Sequence, residues 1–251
     1  MVQRLDKELV SRGLVSTRSR AHQLIDSRAV VVNGKLDRVK ASLKVNATDE
    51  ISVIEDAHSA RHYVSRGAIK LLNALDLFIP QGFPLPEDTC CLDIGASTGG
   101  FTQVLLDKGA RKVIALDVGH NQLDQRIARD TRVIEMSGTN IRDVNLETLP
   151  FSPEITVSDV SFISLTYVIP VIARITKPGA HGVLLIKPQF EVGRAKLGKG
   201  GIVSKEEHRQ EAISTVTSCA KHYSFDVRGV IPSAITGTHG NQEYLLWITR
   251  L

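Results

Sequence analysis

From about Thr89 onward the chain alternates short apolar runs with stretches of helical periodicity. That pattern predicts an α/β architecture in which helices cover a parallel sheet. Cys90–Ile94, Lys112–Asp117, Val133–Met136, Ile155–Asp159 and Val183–Lys187 are the expected strands. A helix from about Ser204 to Tyr223 should follow, then strands near Phe225–Ile231 and Tyr244–Ile248.

The first fifth of the chain is patterned differently. Leu5, Leu9 and Val10 share a helical face that Gly13 terminates, and Ser16 or Thr17 is placed to cap a second helix running to about Ser27. Ala21, Leu24 and Ile25 form its apolar face. Val30-Val31-Val32 then runs into Asn33-Gly34, the signature of a tight hairpin, and the alternating Glu50–Ile54 should complete a small sheet. Glu55–Ala60 is polar and aperiodic, as a linker is. The expected organisation is a small α+β domain over 1–58, a linker and leading helix over 59–84, and the α/β domain over 85–251.

Of the 251 residues 42% are hydrophobic and 23% charged, which excludes disordered and fibrous classes. The longest apolar run, Tyr167–Ala173, is far shorter than the ~20 residues of a membrane helix, and the start MVQRLDKELV has no apolar signal core. Cys90, Cys91 and Cys219 make neither a disulfide framework nor a zinc spacing, so a reducing cytoplasm and no metal are expected. The net charge of +4 is unevenly placed. Residues 1–48 hold ten Lys+Arg against four Asp+Glu, +6, and the rest hold twenty-one against twenty-three, −2. The small domain is therefore expected to face a polyanion, through Arg4, Arg18, Arg20, Arg28, Lys35 and Lys40.

The first predicted strand of the larger domain opens into Asp93-Ile94-Gly95-Ala96-Ser97-Thr98-Gly99-Gly100-Phe101-Thr102 and then a helix. Glycines at a strand-to-helix turn let backbone approach a ligand, and the helix start offers unpaired N–H groups. Asp117, twenty-four residues after Asp93, ends the second strand where a carboxylate receives ribose hydroxyls. A dinucleotide site requires a second glycine where Ser97 stands. S-adenosylmethionine has no pyrophosphate and carries a cationic sulfonium, which suits an acidic residue such as Asp93.

The acceptor atom is narrowed by what is missing. Asp159-Val160-Ser161-Phe162 lacks the prolines of the [DN]-P-P-[YF] signature of amino-group methyltransferases, and the cysteines fall inside a strand and a late helix rather than at a nucleophile's position. Asp159 and Lys187 instead end strands, where an open α/β sheet faces its ligand. Lys70 interrupts the apolar helix GAIKLL and Glu243 opens the final strand. Singly these have plain structural readings: a snorkelling lysine, a helix cap, a solvated strand end.

Together, RLDKELVSRGLVSTRSRAHQLI followed by VVVNGK resembles the S4-like RNA-binding module. YVSRGAIKL, DIGASTGGFT, SDVSF, IKPQFE and GNQEYLL resemble, in this order, the FtsJ-type ribose 2′-O-methyltransferases. The whole chain resembles the TlyA family, often labelled hemolysin A. The resemblance implies a Rossmann-like methyltransferase fold with a seven-stranded, mostly parallel sheet, and S-adenosyl-L-methionine as cofactor. It also implies ribosomal RNA or ribosomal subunits as partner, cytidine 2′-hydroxyls as acceptors, and neither DNA nor membrane. It places a catalytic tetrad on Lys70, Asp159, Lys187 and Glu243. Cofactor contacts fall on Asp93, Gly95, Ala96, Ser97, Thr98, Gly99, Gly100, Phe101, Asp117, Asn140 and Asp159. After Lys187, the stretch 190–201 mixes four glycines with Arg194, Lys196 and Lys199, and Arg194 and Lys196 are expected to meet RNA. Two other readings remain open: an RNA-binding assembly factor with a non-catalytic fold, and a membrane-lytic protein.

Overall fold

The computed structural model describes residues 3–15, 17–26, 30–33, 39–46, 48–53, 63–237 and 239–251. The chain divides into two compact units, Met1–Ser59 and Ala60–Leu251. The candidate residues Arg28 and Lys35, the Ser16 cap and the linker at 55–60 lie outside the described residues, as does the side chain of Arg20.

In the first unit β1 (Gln3–Arg4) leads into α1 (Leu5–Ser11), followed by α2 (Arg18–Asp26), β2 (Val30–Val32), β3 (Lys44–Val45) and β4 (Ile51–Val53). Leu5 and Leu9 on α1 meet Ala21, Leu24 and Ile25 on α2, as their spacing predicts, over Val30 and Val45. The residues that would follow a tight turn at Asn33-Gly34 lie outside the described ones. β2 pairs antiparallel with β4, Val31 opposite Ser52, and β1 pairs with β3. Asn33 does turn, at φ 50°, but its side chain reaches Asp49 and the backbone of Glu50, so it joins β2 to a partner far along the chain.

The second unit begins with α3 (Ala68–Phe78). There follow β5 (Cys90–Ile94), α4 (Gly100–Asp107), β6 (Lys112–Asp117), α5 (Gln125–Ala128), β7 (Val133–Ser137), β8 (Ile155–Ser158), α6 (Leu165–Ile175), β9 (His181–Ile186), α7 (Pro188–Glu191), α8 (Glu206–His222), β10 (Phe225–Pro232) and β11 (Tyr244–Arg250). The expected strands form, with ends shifted by a residue or two; β8 and β9 stop one residue short of Asp159 and Lys187, which therefore stand free of the ladder. The order is β10-β11-β9-β8-β5-β6-β7, parallel from β9 to β7, with β11 antiparallel to both its neighbours.

Apolar positions alternate across the sheet and feed two cores. Leu71, Leu75 and Phe78 of α3 join Val104 and Leu105 of α4 on one face, and Val168, Ile172 and Val216 of α6 and α8 cover the other. The chain reverses direction of travel between β5, which is followed by β6 on one side, and β8 on the other. Such a switch point opens a crevice beyond the carboxyl ends of the strands.

Candidate active site

Four elements deliver charge to that crevice. Asp159 follows β8, Lys187 follows β9, and α3 brings Lys70 from the side. Glu243 precedes β11, and because β11 runs against its neighbours its starting end lies level with their finishing ends. The Lys70 ammonium lies 2.5 Å from Glu243 Oε2 and 3.9 Å from Asp159 Oδ2. The Lys187 ammonium lies 2.7 Å from Asp159 Oδ1, an ion pair not aligned as a hydrogen bond, and donates to Ser161 Oγ at 2.8 Å. Lys70, Lys187 and Glu243 are all buried, each with opposite charge in reach, which is the condition under which such groups leave water. These four residues and Ser161 line a cavity of about 250 Å³ that also touches Ala96, Ser97 and Thr98.

The glycine loop meets this cavity from the β5 side. A side chain at Gly95 would bring its Cβ within 2.8 Å of the Asp159 carbonyl oxygen, and the residue sits at φ +83°, so glycine is what allows the two loops to touch. Ser97 adopts φ 46°, the left-handed region the second glycine of a dinucleotide loop takes, and its N–H donates to Asp117 Oδ2 at 2.8 Å. The other Asp117 oxygen accepts from Gly119 N. Beside this loop a second cleft of about 760 Å³ runs from Gly95 past Asp117 to Asn140, with Asp159 and Phe162 on its opposite wall. Asn140, which lines the cleft, uses its side-chain oxygen to cap the following turn at Arg142 N, so its amide nitrogen is not engaged in that cap. Gly99 caps α4, Gly100 has Ser65 directly above it, and Phe101 is buried in the core beneath the loop.

Asp93 departs from the expected direct contact. It lines neither cavity: it is fully buried beneath the loop, with Oδ2 accepting from the Thr102 hydroxyl at 2.7 Å and Oδ1 unpartnered. Burial pushes its carboxyl up to about 7, against the Thr102 hydrogen bond and with help from Asp159 and Asp117. Burial also pushes the Cys91 thiol up to about 12, so the strand cysteine is an inert thiol rather than a nucleophile.

The expected RNA contacts divide. Arg4 and Arg18 are exposed but both hold the buried Asp6, at 2.9 and 2.6 Å; Lys40 is exposed. Arg194 is exposed, whereas Lys196 is paired with Glu211 of α8. The glycine-rich stretch they share is not a loose flap. Leu197 packs on Val192, Val203 and Ala212, and the Asn241 amide bonds both Val203 N and Gly201 O.

Ser161 and Phe162 gained no role from the sequence beyond their place in a motif. Phe162 is 92% exposed at the rim of the larger cleft, at φ 63°, with its ring centroid 5.3 Å from that of Phe190. A bulky residue rarely adopts that backbone region, and such strain gathers at functional sites.

A Rossmann-like sheet whose switch point holds a glycine loop, a nucleoside-sized cleft and a cluster of Lys70, Asp159, Lys187 and Glu243 has the architecture of a methyltransferase. Residues 63–250 match the FtsJ-like methyltransferase family and residues 3–51 the S4 domain; the chain belongs to the FtsJ-like methyltransferase family. It is 41% identical, over 98% of its length and 89% of the relative's, to the 16S/23S rRNA (cytidine-2′-O)-methyltransferase TlyA of Mycobacterium tuberculosis. It is likewise 41% identical to Hemolysin A of Brachyspira hyodysenteriae, over 96% of this chain and 98% of that one. A solved structure described as "Putative hemolysin from Streptococcus thermophilus" superimposes with a TM-score of 0.73 at 38% identity, covering 99% of this chain and 88% of the other. Among the described residues no helix is long and apolar enough to cross a membrane.

Proposed function

We propose that this chain is a cytoplasmic S-adenosylmethionine-dependent RNA methyltransferase that modifies the ribose 2′-hydroxyl of cytidine in ribosomal RNA. The observation that carries this reading is the cluster of Lys70, Asp159, Lys187 and Glu243 in a cavity that opens onto the glycine loop. The names of its relatives and its S4 domain support ribosomal RNA as the substrate class.

The residues present fit the cofactor. The cleft beside Gly95 is large enough for a nucleoside with an amino-acid tail, Asp117 can receive ribose hydroxyls on the lone pairs its backbone bonds leave, and Asn140 offers an amide to a base. When bound, the cofactor supplies an electrophilic methyl group on sulfur.

The chain's own residues do the rest. Lys187 contacts the 2′-hydroxyl and takes up its proton as the oxygen receives the methyl group. Asp159 and Ser161 hold Lys187 in place, and Lys70, fixed by Glu243, supplies the balancing cation. Phe162 offers an open ring face at the cleft's mouth on which an unstacked base can rest. Arg4, Arg18 and Lys40 hold RNA phosphates from the first unit, and Arg194 from the second.

Transfer of labelled methyl groups from the cofactor to ribosomal subunits and to naked ribosomal RNA, followed by mapping of the modified nucleotide, tests the reading. Label in a cytidine 2′-O-methyl group is expected. Label in a base, or RNA binding without transfer, would replace it with a base methyltransferase or an assembly factor.

A further inference from the structure

Asp159 and Lys187 leave adjacent strands on turns beyond the last ladder pair, Ser158 opposite Leu184. What holds the two turns together there is side-chain contact. Lys187 reaches Asp159 and Ser161, and the rings of Phe162 and Phe190 meet. All of these residues face the cavities. A further tie lies behind them. Glu191, the last residue of α7, accepts from Ser164 Oγ at 2.5 Å and from Leu165 N at 3.0 Å, across to the start of α6. Glu191 lines neither cavity.

Its chemistry is not that of a packing residue. Burial pushes the Glu191 carboxyl up from its ordinary value, against both hydrogen bonds, so a carboxylate here is held at some cost. An apolar side chain of the same length would fill the space without that cost. What it would lack is a two-point bond from the turn of Lys187 to the turn of Asp159.

The geometry points to Glu191 as a positioning residue that sets the reach of Lys187 to Asp159 and to the acceptor hydroxyl. It stands four residues past Lys187 on a one-turn helix, so release of Glu191 lets that turn pivot. A misplacement of about 1 Å costs methyl transfer on the order of 100-fold. The inference rests on the methyltransferase reading.

Two substitutions of similar size separate bridging from filling. In Glu191→Gln the amide oxygen can still accept from Leu165 N while the amide nitrogen donates to Ser164; Glu191→Met fills the volume and bridges nothing. Single-turnover transfer to RNA is expected to fall about 10- to 100-fold in Glu191→Met and about threefold or less in Glu191→Gln. Cofactor affinity, RNA affinity and melting temperature should stay close to the parent in both. Equal rates for the two variants, or a rate loss that tracks loss of melting temperature, would overturn the assignment. A crystal structure of Glu191→Met supplies a readout independent of RNA: the 2.7 Å Lys187–Asp159 pair is expected to lengthen, and an unchanged pair refutes the role. A parent protein that transfers no methyl to RNA would instead sink the functional reading.

Discussion

Among the described residues each unit buries one aspartate completely, and the two are treated in opposite ways. In the first unit Asp6 is ringed by Arg4, Arg18 and His22, and the Arg4 guanidinium above all holds its carboxyl well below the usual range. In the second unit Asp93 is met by the hydroxyl and the backbone of Thr102, with no cation bonded to it, and burial raises it to about 7. The cover over Asp6 includes the guanidinium groups of Arg4 and Arg18, with their outer edges in solvent; the cover over Asp93 is the loop and the core. One unit therefore spends a carboxylate to fix cations at its surface. The other leaves the carboxylate under the loop without a cation and brings Lys70 and Lys187 to Asp159 and Glu243 instead.

The division of labour is tested most severely by Lys187→Ala. Transfer to RNA is expected to drop about 100- to 10,000-fold, the range of a lost general base, while cofactor titrations stay near the parent's. A variant with parental turnover would break the assignment of chemistry to the second unit's lysines. Phe162→Ala comes next. It should lower kcat/KM for RNA about tenfold, within the range of one stacked base, and leave cofactor affinity unchanged. An equal effect on cofactor affinity would move Phe162 from the RNA to the cofactor.

The two aspartates give a paired test by scanning calorimetry without ligands. The folded pKa of Asp93 lies above its ordinary value, so its contribution to stability is full below about pH 4 and is lost as pH rises through about 7. Asp93→Asn is expected to melt several degrees above the parent at pH 8, with the gap closing by pH 4. Asp6 is depressed, so its contribution is present above its ordinary pKa and lost as pH falls through the folded one. Asp6→Asn should melt below the parent at pH 7, and the difference should fade in strong acid. Shifts of the same sign in both variants would break the comparison. The smallest effect is expected from Arg18→Ala: RNA affinity falls a few fold, and the slope of log affinity against log salt loses about one unit. An unchanged slope would mean that Asp6 holds Arg18 away from phosphate.

The strands of the larger unit are written in its apolar runs, and the four charged residues stand out because each interrupts or borders such a run. Periodicity assigns a residue to a face, and Leu71, Val104 and Val168 lie where it puts them. It does not name partners across elements. Nothing near Arg18 announces Asp6, twelve residues earlier, and nothing near Lys196 announces Glu211. Asp93 was legible as part of a cofactor loop, but its depth depends on how β5 lies between β6 and β8, which no local pattern records. β1 and β3 are two residues each, too short for any period. Ser161 and Glu191 matter through contacts made after two turns have folded, so their motifs could be seen and their work could not.

The reversed strand β11 also orders the life of the molecule. A chain grows from its amino end, so Lys70, the glycine loop, Asp117 and Asn140 are all made long before Glu243. A nascent chain can shape the cofactor cleft early, but the cavity around Lys70 stays open until β11 slides between β9 and β10. The cluster around Lys70 is therefore complete only after Glu243 has been made and β11 has docked.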